Sequence, residues 1–107
     1  MLIQYGRMER RNLKEPIYHA ECLAVNMRGS HEDMLLAAAR IFEAEDICQA
    51  PQDIIDHDDG RFTILYPLTV SLSHTEAQEV RYLDAMDERL AVLCTPLKVE
   101  LLGCSFQ

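Results

Sequence analysis

Arg61-Phe62-Thr63-Ile64-Leu65-Tyr66-Pro67-Leu68-Thr69-Val70-Ser71-Leu72-Ser73 decides the fold. Phe62, Ile64, Tyr66, Leu68, Val70 and Leu72 fall on every second position, with Thr63, Thr69, Ser71 and Ser73 between them. That is the period of a strand with one buried face. Leu65 interrupts the polar face. Pro67 removes a ladder donor, which predicts an edge position or a bulge.

Working outward, Asp58-Asp59-Gly60 reads as a hairpin turn leading into this strand, because glycine supplies a positive φ and aspartate tolerates one. A short strand before Asp56 then pairs with the long one, built from Ile54 and Ile55 or from Ile47 to Gln49. After the strand, Ser73-His74-Thr75-Glu76 matches a capping box. It opens a helix with an apolar stripe of Ala77, Val80, Leu83, Met86, Leu90 and Leu93, and with Glu79, Asp84, Asp87, Glu88, Arg81 and Arg89 facing out. Pro96 ends that helix.

Towards the N-terminus, Ile17 to Arg28 reads as a central strand that Gly29 breaks, with apolar residues on both parities after Glu21. Ser30 then caps a helix whose first turn carries Glu32 and Asp33. Met34, Leu35, Ala38, Ile41 and Phe42 form its buried stripe, the Ala37-Ala38-Ala39 run permits close approach to a sheet, and the helix reaches about Glu45. Leu97 to Phe106 is the last strand. Its apolar parity switches near Leu101 to Gly103, which predicts a bulge.

The order strand, helix, short strand, long strand, helix, strand predicts an α+β domain of the ferredoxin-like split βαβ class, one antiparallel sheet with two helices on one face. The other face is left to the N-terminal segment, solvent or a second copy in a homodimer. The chain has 107 residues, so residues 17–107 form a single domain behind a basic N-terminal arm at 1–16.

Charge is uneven. The whole chain has 18 acids against 10 bases. Residues 1–14 hold Arg7, Arg10, Arg11 and Lys14 against Glu9 alone, which leaves six bases and 17 acids over residues 15–107, a net of −11. Such a surface repels phosphates and favours a basic partner. The arm is the one segment suited to touching nucleic acid. No apolar run approaches the roughly 20 residues needed to span a bilayer, and no apolar h-region follows the early bases, so the expected location is the cytosol.

The pattern from Ile17 to Phe106 resembles the regulator of ribonuclease E activity B family. The likeness rests on the Ile17-Tyr18 strand start, the helix with Ala38, Ala39 and Phe42, the Asp56-His57-Asp58-Asp59-Gly60 turn before a long strand, the acidic helix and the closing Val99-Glu100. Where that family closes on Tyr-Asp-Gly-Trp, this chain has Glu100-Leu101-Leu102-Gly103-Cys104. The resemblance implies a non-catalytic acidic protein that binds and inhibits an endoribonuclease.

Catalytic signatures are missing: the sequence has no GxSxG, Walker, HExxH or dinucleotide-binding glycine motif. Cys22, Cys48, Cys94 and Cys104 form no CxxC pair and are expected to be buried, reduced thiols. His57, set among Asp56, Asp58 and Asp59, is the best metal or acid/base candidate, against a solvated turn as the ordinary outcome. His19 two residues before Glu21 is the next. His31 and His74 read as exposed residues just after helix caps.

The expected function is therefore regulatory and not enzymatic, with no cofactor and no assigned metal. An acidic face of Asp53, Asp56, Asp58 and Asp59 with Glu76, Glu79, Asp84, Asp87 and Glu88 docks on a basic nucleic-acid-handling protein, an endoribonuclease or a host defence nuclease, and occludes it. A phage inhibitor and a host regulator read alike. The alternatives are a small metal- or ligand-binding domain using His57 and its aspartates, and a structural subunit of an assembly.

Overall fold

A computed structural model describes residues 16–107, so the basic arm expected at 1–16 lies almost wholly outside the described residues. The elements are β1 (Tyr18–Arg28), α1 (His31–Ala44), β2 (Asp53–Asp56), β3 (Arg61–His74), α2 (Glu76–Cys94), a 3-10 turn (Thr95–Leu97) and β4 (Glu100–Phe106). The four strands form one antiparallel sheet in the order β2-β3-β1-β4. The α+β expectation holds, and the arrangement is compatible with the ferredoxin-like class.

The core follows from the alternation. Leu23, Val25 and Met27 of β1 stand opposite Tyr66, Ile64 and Phe62 of β3, and all six are buried. Met34, Ala37, Ala38 and Ile41 of α1 and Met86, Leu90 and Cys94 of α2 join them in one cluster. Both helices therefore cover the same face of the sheet. Each large side chain removed from water there contributes about 2 kcal/mol before entropy is counted. Tyr66 is fully buried, and its hydroxyl donates to the Ala38 carbonyl at 2.9 Å, so the alanine run does admit a close approach.

Stripe positions move slightly. The buried stripe of α1 is Met34, Ala37, Ala38 and Ile41, so Leu35 and Phe42 fall on its flank and are exposed. In α2, Ala77 and Val80 are exposed, and the buried residues are Met86, Leu90 and Cys94 of its later turns.

Pro67 sits at a bulge and not at an edge, since β3 is an interior strand. Ala20 pairs with Leu72 and Cys22 with Pro67, so two steps on β1 span five on β3. The intervening segment turns to residues 47–49: Gln49 N–H donates to the Pro67 carbonyl at 2.7 Å and Thr69 N–H to the Ile47 carbonyl at 2.8 Å. Ile54 and Ile55 form β2, while Cys48 makes only an isolated bridge to Leu68. Val70 is 70% exposed, contrary to the alternation, because it falls inside this excursion.

The bulge expected in the last strand is present. Gly103 pairs with Asn26 and Leu101 with Met27, leaving Leu102 as the extra residue, and Gly103 holds φ +141°. Gly29 ends β1 where a Cβ would meet Val99 Cγ1 at 2.9 Å.

All four cysteines are free thiols, Cys48 and Cys94 buried and Cys22 and Cys104 half-buried. Burial raises all four thiol pKa values; Cys48 is pushed up to about 11, with the nearby Glu45 charge adding to the effect. Unfolded thiols ionise near about 8.5, so native protons are held where unfolded ones are lost. The contribution is complete below about pH 8.5 and disappears as pH rises through the folded values. Urea melts should therefore show stability falling from about pH 8.5 towards 11, by up to about 1.4 kcal/mol per pH unit for each such thiol; a flat profile would contradict this burial. Tyr66→Phe should cost about 1 kcal/mol, through the lost hydroxyl bond, and Tyr66→Ala about 3–5 kcal/mol through the cavity, both read from the same melts.

Candidate functional site

The acidic turn supplies donors to two of its own carboxylates. Asp56 Oδ1 accepts from Asp58 N–H at 2.8 Å, and Asp59 accepts from Arg61 N–H at 3.1 Å and Arg61 Nε at 2.8 Å. Asp58 at φ 63° and Gly60 at φ 87° close the hairpin. Slight desolvation acts upward on Asp59 and the Arg61 bonds and charge act downward, with a net lowering of its carboxyl pKa. Asp53 accepts from the N–H of Ile54 at 2.9 Å.

His57 makes no hydrogen bond to these carboxylates. Its Nε2 lies 2.8 Å from Thr63 Oγ1, which donates to Asn26 Oδ1 at 2.6 Å. With its one proton on Asn26, the hydroxyl accepts from His57 Nε2–H, so Nδ1 is the nitrogen left open. The candidate cluster of His57 with three aspartates is thus not assembled, in line with the solvated turn expected there. Among the described residues no three His, Cys, Asp or Glu side chains converge to hold a metal. His19 Nδ1 contacts Ser73 Oγ at 3.0 Å and makes no bond to Glu21. His31 is exposed, edge-on to Phe62 at 6.0 Å.

The acids of α2 divide by face. Glu76, Asp84 and Glu88 are exposed. Asp87 is half-buried beside Cys104, with Oδ1 buried and unpartnered among the described residues. Arg89 does not stand free either: it forks onto the buried Glu45 at 2.8 and 3.1 Å, tying α2 to the end of α1. The turn lies at the β2 edge, and α2 packs against β4 at the opposite edge. Turn and helix therefore present two acidic surfaces across the width of the sheet.

The capping box falls two residues later than the sequence suggests. Thr75 is the cap: its Oγ1 accepts from Gln78 N–H, and Gln78 Oε1 accepts from Thr75 N–H. Strand β3 therefore continues through His74, which takes the inward position after Leu72 and is 2% exposed. Its Nδ1–H donates to the Leu72 carbonyl at 3.2 Å, which leaves Nε2 as the lone-pair nitrogen of the neutral ring.

That Nε2 is buried, unpartnered among the described residues, and 3.5 Å from Glu79 Oε1. The His74 ring packs 6.0 Å from Tyr18 and 5.6 Å from Phe106. These groups line a cleft of about 420 Å³ where the start of β1, the end of β3, the first turn of α2 and the end of β4 meet. An unpaired buried polar atom costs about 1–3 kcal/mol, so its presence calls for an explanation. The sequence signal for His74 was the alternation itself, extended one step further than a cap at Ser73 permits.

Comparison with protein-family models, curated proteins and solved structures finds no match to this chain.

The satisfied turn predicts that Zn²⁺, Mn²⁺ and Ca²⁺ leave the thermal midpoint unchanged and are not retained on dialysis; a stoichiometric ion lost in His57→Ala would overturn that reading.

Proposed function

We propose that this is a ferredoxin-like regulatory protein that docks an acidic surface on the basic surface of a nucleic-acid-handling protein and occludes it. The observation that carries the reading is charge left uncompensated by the fold. Of the six bases in residues 15–107, Arg28, Arg61 and Arg89 are in ion pairs with Glu100, Asp59 and Glu45, so of the two bases on α2 only Arg81 is left beside the exposed Glu76, Asp84 and Glu88. Such a field raises association rates with basic partners and weakens as salt screens it.

The ferredoxin-like assignment is supported by the interleaved order: β1 and β2 run parallel with β3 between them, and β3 and β4 run parallel with β1 between them. The resemblance to the regulator of ribonuclease E activity B family suggests an endoribonuclease as the partner. A cytoplasmic setting is consistent with four free thiols, and no helix of the described residues is long and apolar enough to cross a membrane.

Two charge-neutralised variants test the reading, one at the turn (Asp56→Asn, Asp58→Asn, Asp59→Asn) and one on α2 (Glu76→Gln, Asp84→Asn, Glu88→Gln). Binding to a nucleic-acid-handling protein captured from the source cell should fall steeply between about 50 and 500 mM salt, and one variant should lose about tenfold in affinity, identifying the surface used. A partner bound with equal affinity at both salts and by both variants would refute docking by charge.

A further inference from the structure

The geometry at His74 points to a ligand. His74 Nε2 and Glu79 Oε1 face each other at 3.5 Å, and with Nδ1–H spent on Leu72 the neutral ring offers only a lone pair there. With the ring neutral, two acceptors at this separation lack a shared donor, which a proton on Nε2 or the N–H of a ligand supplies. Glu76 adds a second carboxylate at the rim, and the Tyr18 and Phe106 rings flank the imidazole.

The alternatives fit less well. An anion at the α2 N-terminus would need free backbone donors and positive charge, yet Gln78 N–H goes to Thr75 Oγ1, Glu79 N–H to the Thr75 carbonyl, and two glutamates occupy the first turn. A metal would need three converging ligands, and none converge among the described residues. A group with several N–H donors, positive charge and an apolar body suits the Glu76 and Glu79 carboxylates, the His74 lone pair and the Tyr18 and Phe106 rings of the cleft. Phe106 also stands edge-on to Tyr82 at 6.4 Å and lines a second, apolar cavity of about 370 Å³ with Ile47, Leu72 and Met86.

We infer that this cleft binds an organic cation, an ammonium or guanidinium group on an apolar stem, whose N–H donors bridge His74 Nε2 and Glu79 while the stem lies against Phe106. The site does not depend on the docking reading above. The same chemistry arrives as a free small molecule or as a lysine or arginine side chain of a peptide. A proton on His74 is the competitor, since it supplies the missing donor without a ligand.

The full chain is titrated at about pH 7.5 with arginine amide, hexylamine and a short arginine-containing peptide. The neutral counterparts citrulline amide and hexanol are titrated alongside, and binding is followed by calorimetry and by the ¹⁵N signals of His74. A saturable shift of Nε2 is expected with at least one cation, on the order of tenfold weaker with its neutral counterpart and in Glu79→Gln. Glu79 is partly exposed, so that variant should keep the thermal midpoint, and Asp58→Asn at the far hairpin should bind as the unaltered chain does. Binding of the free compounds identifies a small-molecule site, and binding of the peptide alone identifies a partner's side chain; either supports the assignment. Absence of saturable binding by every cation, equal binding of the neutral counterparts, or unchanged affinity in Glu79→Gln would overturn it, as would a His74 found doubly protonated in the free protein and unmoved by the cations.

Discussion

The antiparallel register of β1 on β3, with Val25 opposite Ile64 and Leu23 opposite Tyr66, is the constraint on which the rest of the domain depends. A slip of one residue would turn Phe62, Ile64 and Tyr66 towards the face without helices and bring Thr63 and Leu65 beneath α1. Nothing on the helices compensates for that exchange. Tyr66 adds a directional element, because its hydroxyl reaches a carbonyl inside α1 and so fixes the height of that helix over the sheet. The small Ala37 and Ala38 make this approach sterically available.

The same strand also creates the cleft. At Pro67 the chain has no N–H to donate, and β3 leaves β1, engages residues 47–49 and returns to pair at Leu72. The return carries His74 inward beside the start of β1, while the end of β4 bonds back to β1 through Gln107 and the Glu21 and Cys22 amides. Three strand ends and one helix start thus meet where no continuous layer of apolar side chains can form.

Period and turn chemistry made much of this legible. The alternation in Phe62 to Leu68, the hairpin at Asp58 to Gly60, the caps of both helices to within two residues and the bulge before Gly103 all follow from local rules that the tertiary structure does not oppose. What was not legible depends on partners distant in sequence. The chain cannot tell that residues 47–49 draw Val70 out of the alternation, or that Glu45 waits for Arg89 forty-four residues later. Asp87 reads as solvated on helical spacing, and only the fold brings Cys104 against it. His74 was hidden by a plausible cap at Ser73, since a residue just after a cap is ordinarily exposed.

The two histidine environments differ in how far the fold completes their hydrogen bonding. Around His57, Asp56 and Asp59 take backbone and arginine donors from their own turn, and the imidazole joins Thr63 and Asn26 in a chain of hydrogen bonds through Nε2. Such a network stabilises the hairpin. Around His74 the hydrogen bonding stops one donor short, at an atom removed from water and next to a carboxylate. An apolar residue at position 74 would fit the strand pattern without that cost, because both flanking rings are apolar surfaces. A polar atom kept where packing favours its absence is intelligible when something that is not part of the fold completes its bonding. That asymmetry sets the junction of the strand ends apart from the acidic turn, where the hairpin itself supplies donors to Asp56 and Asp59.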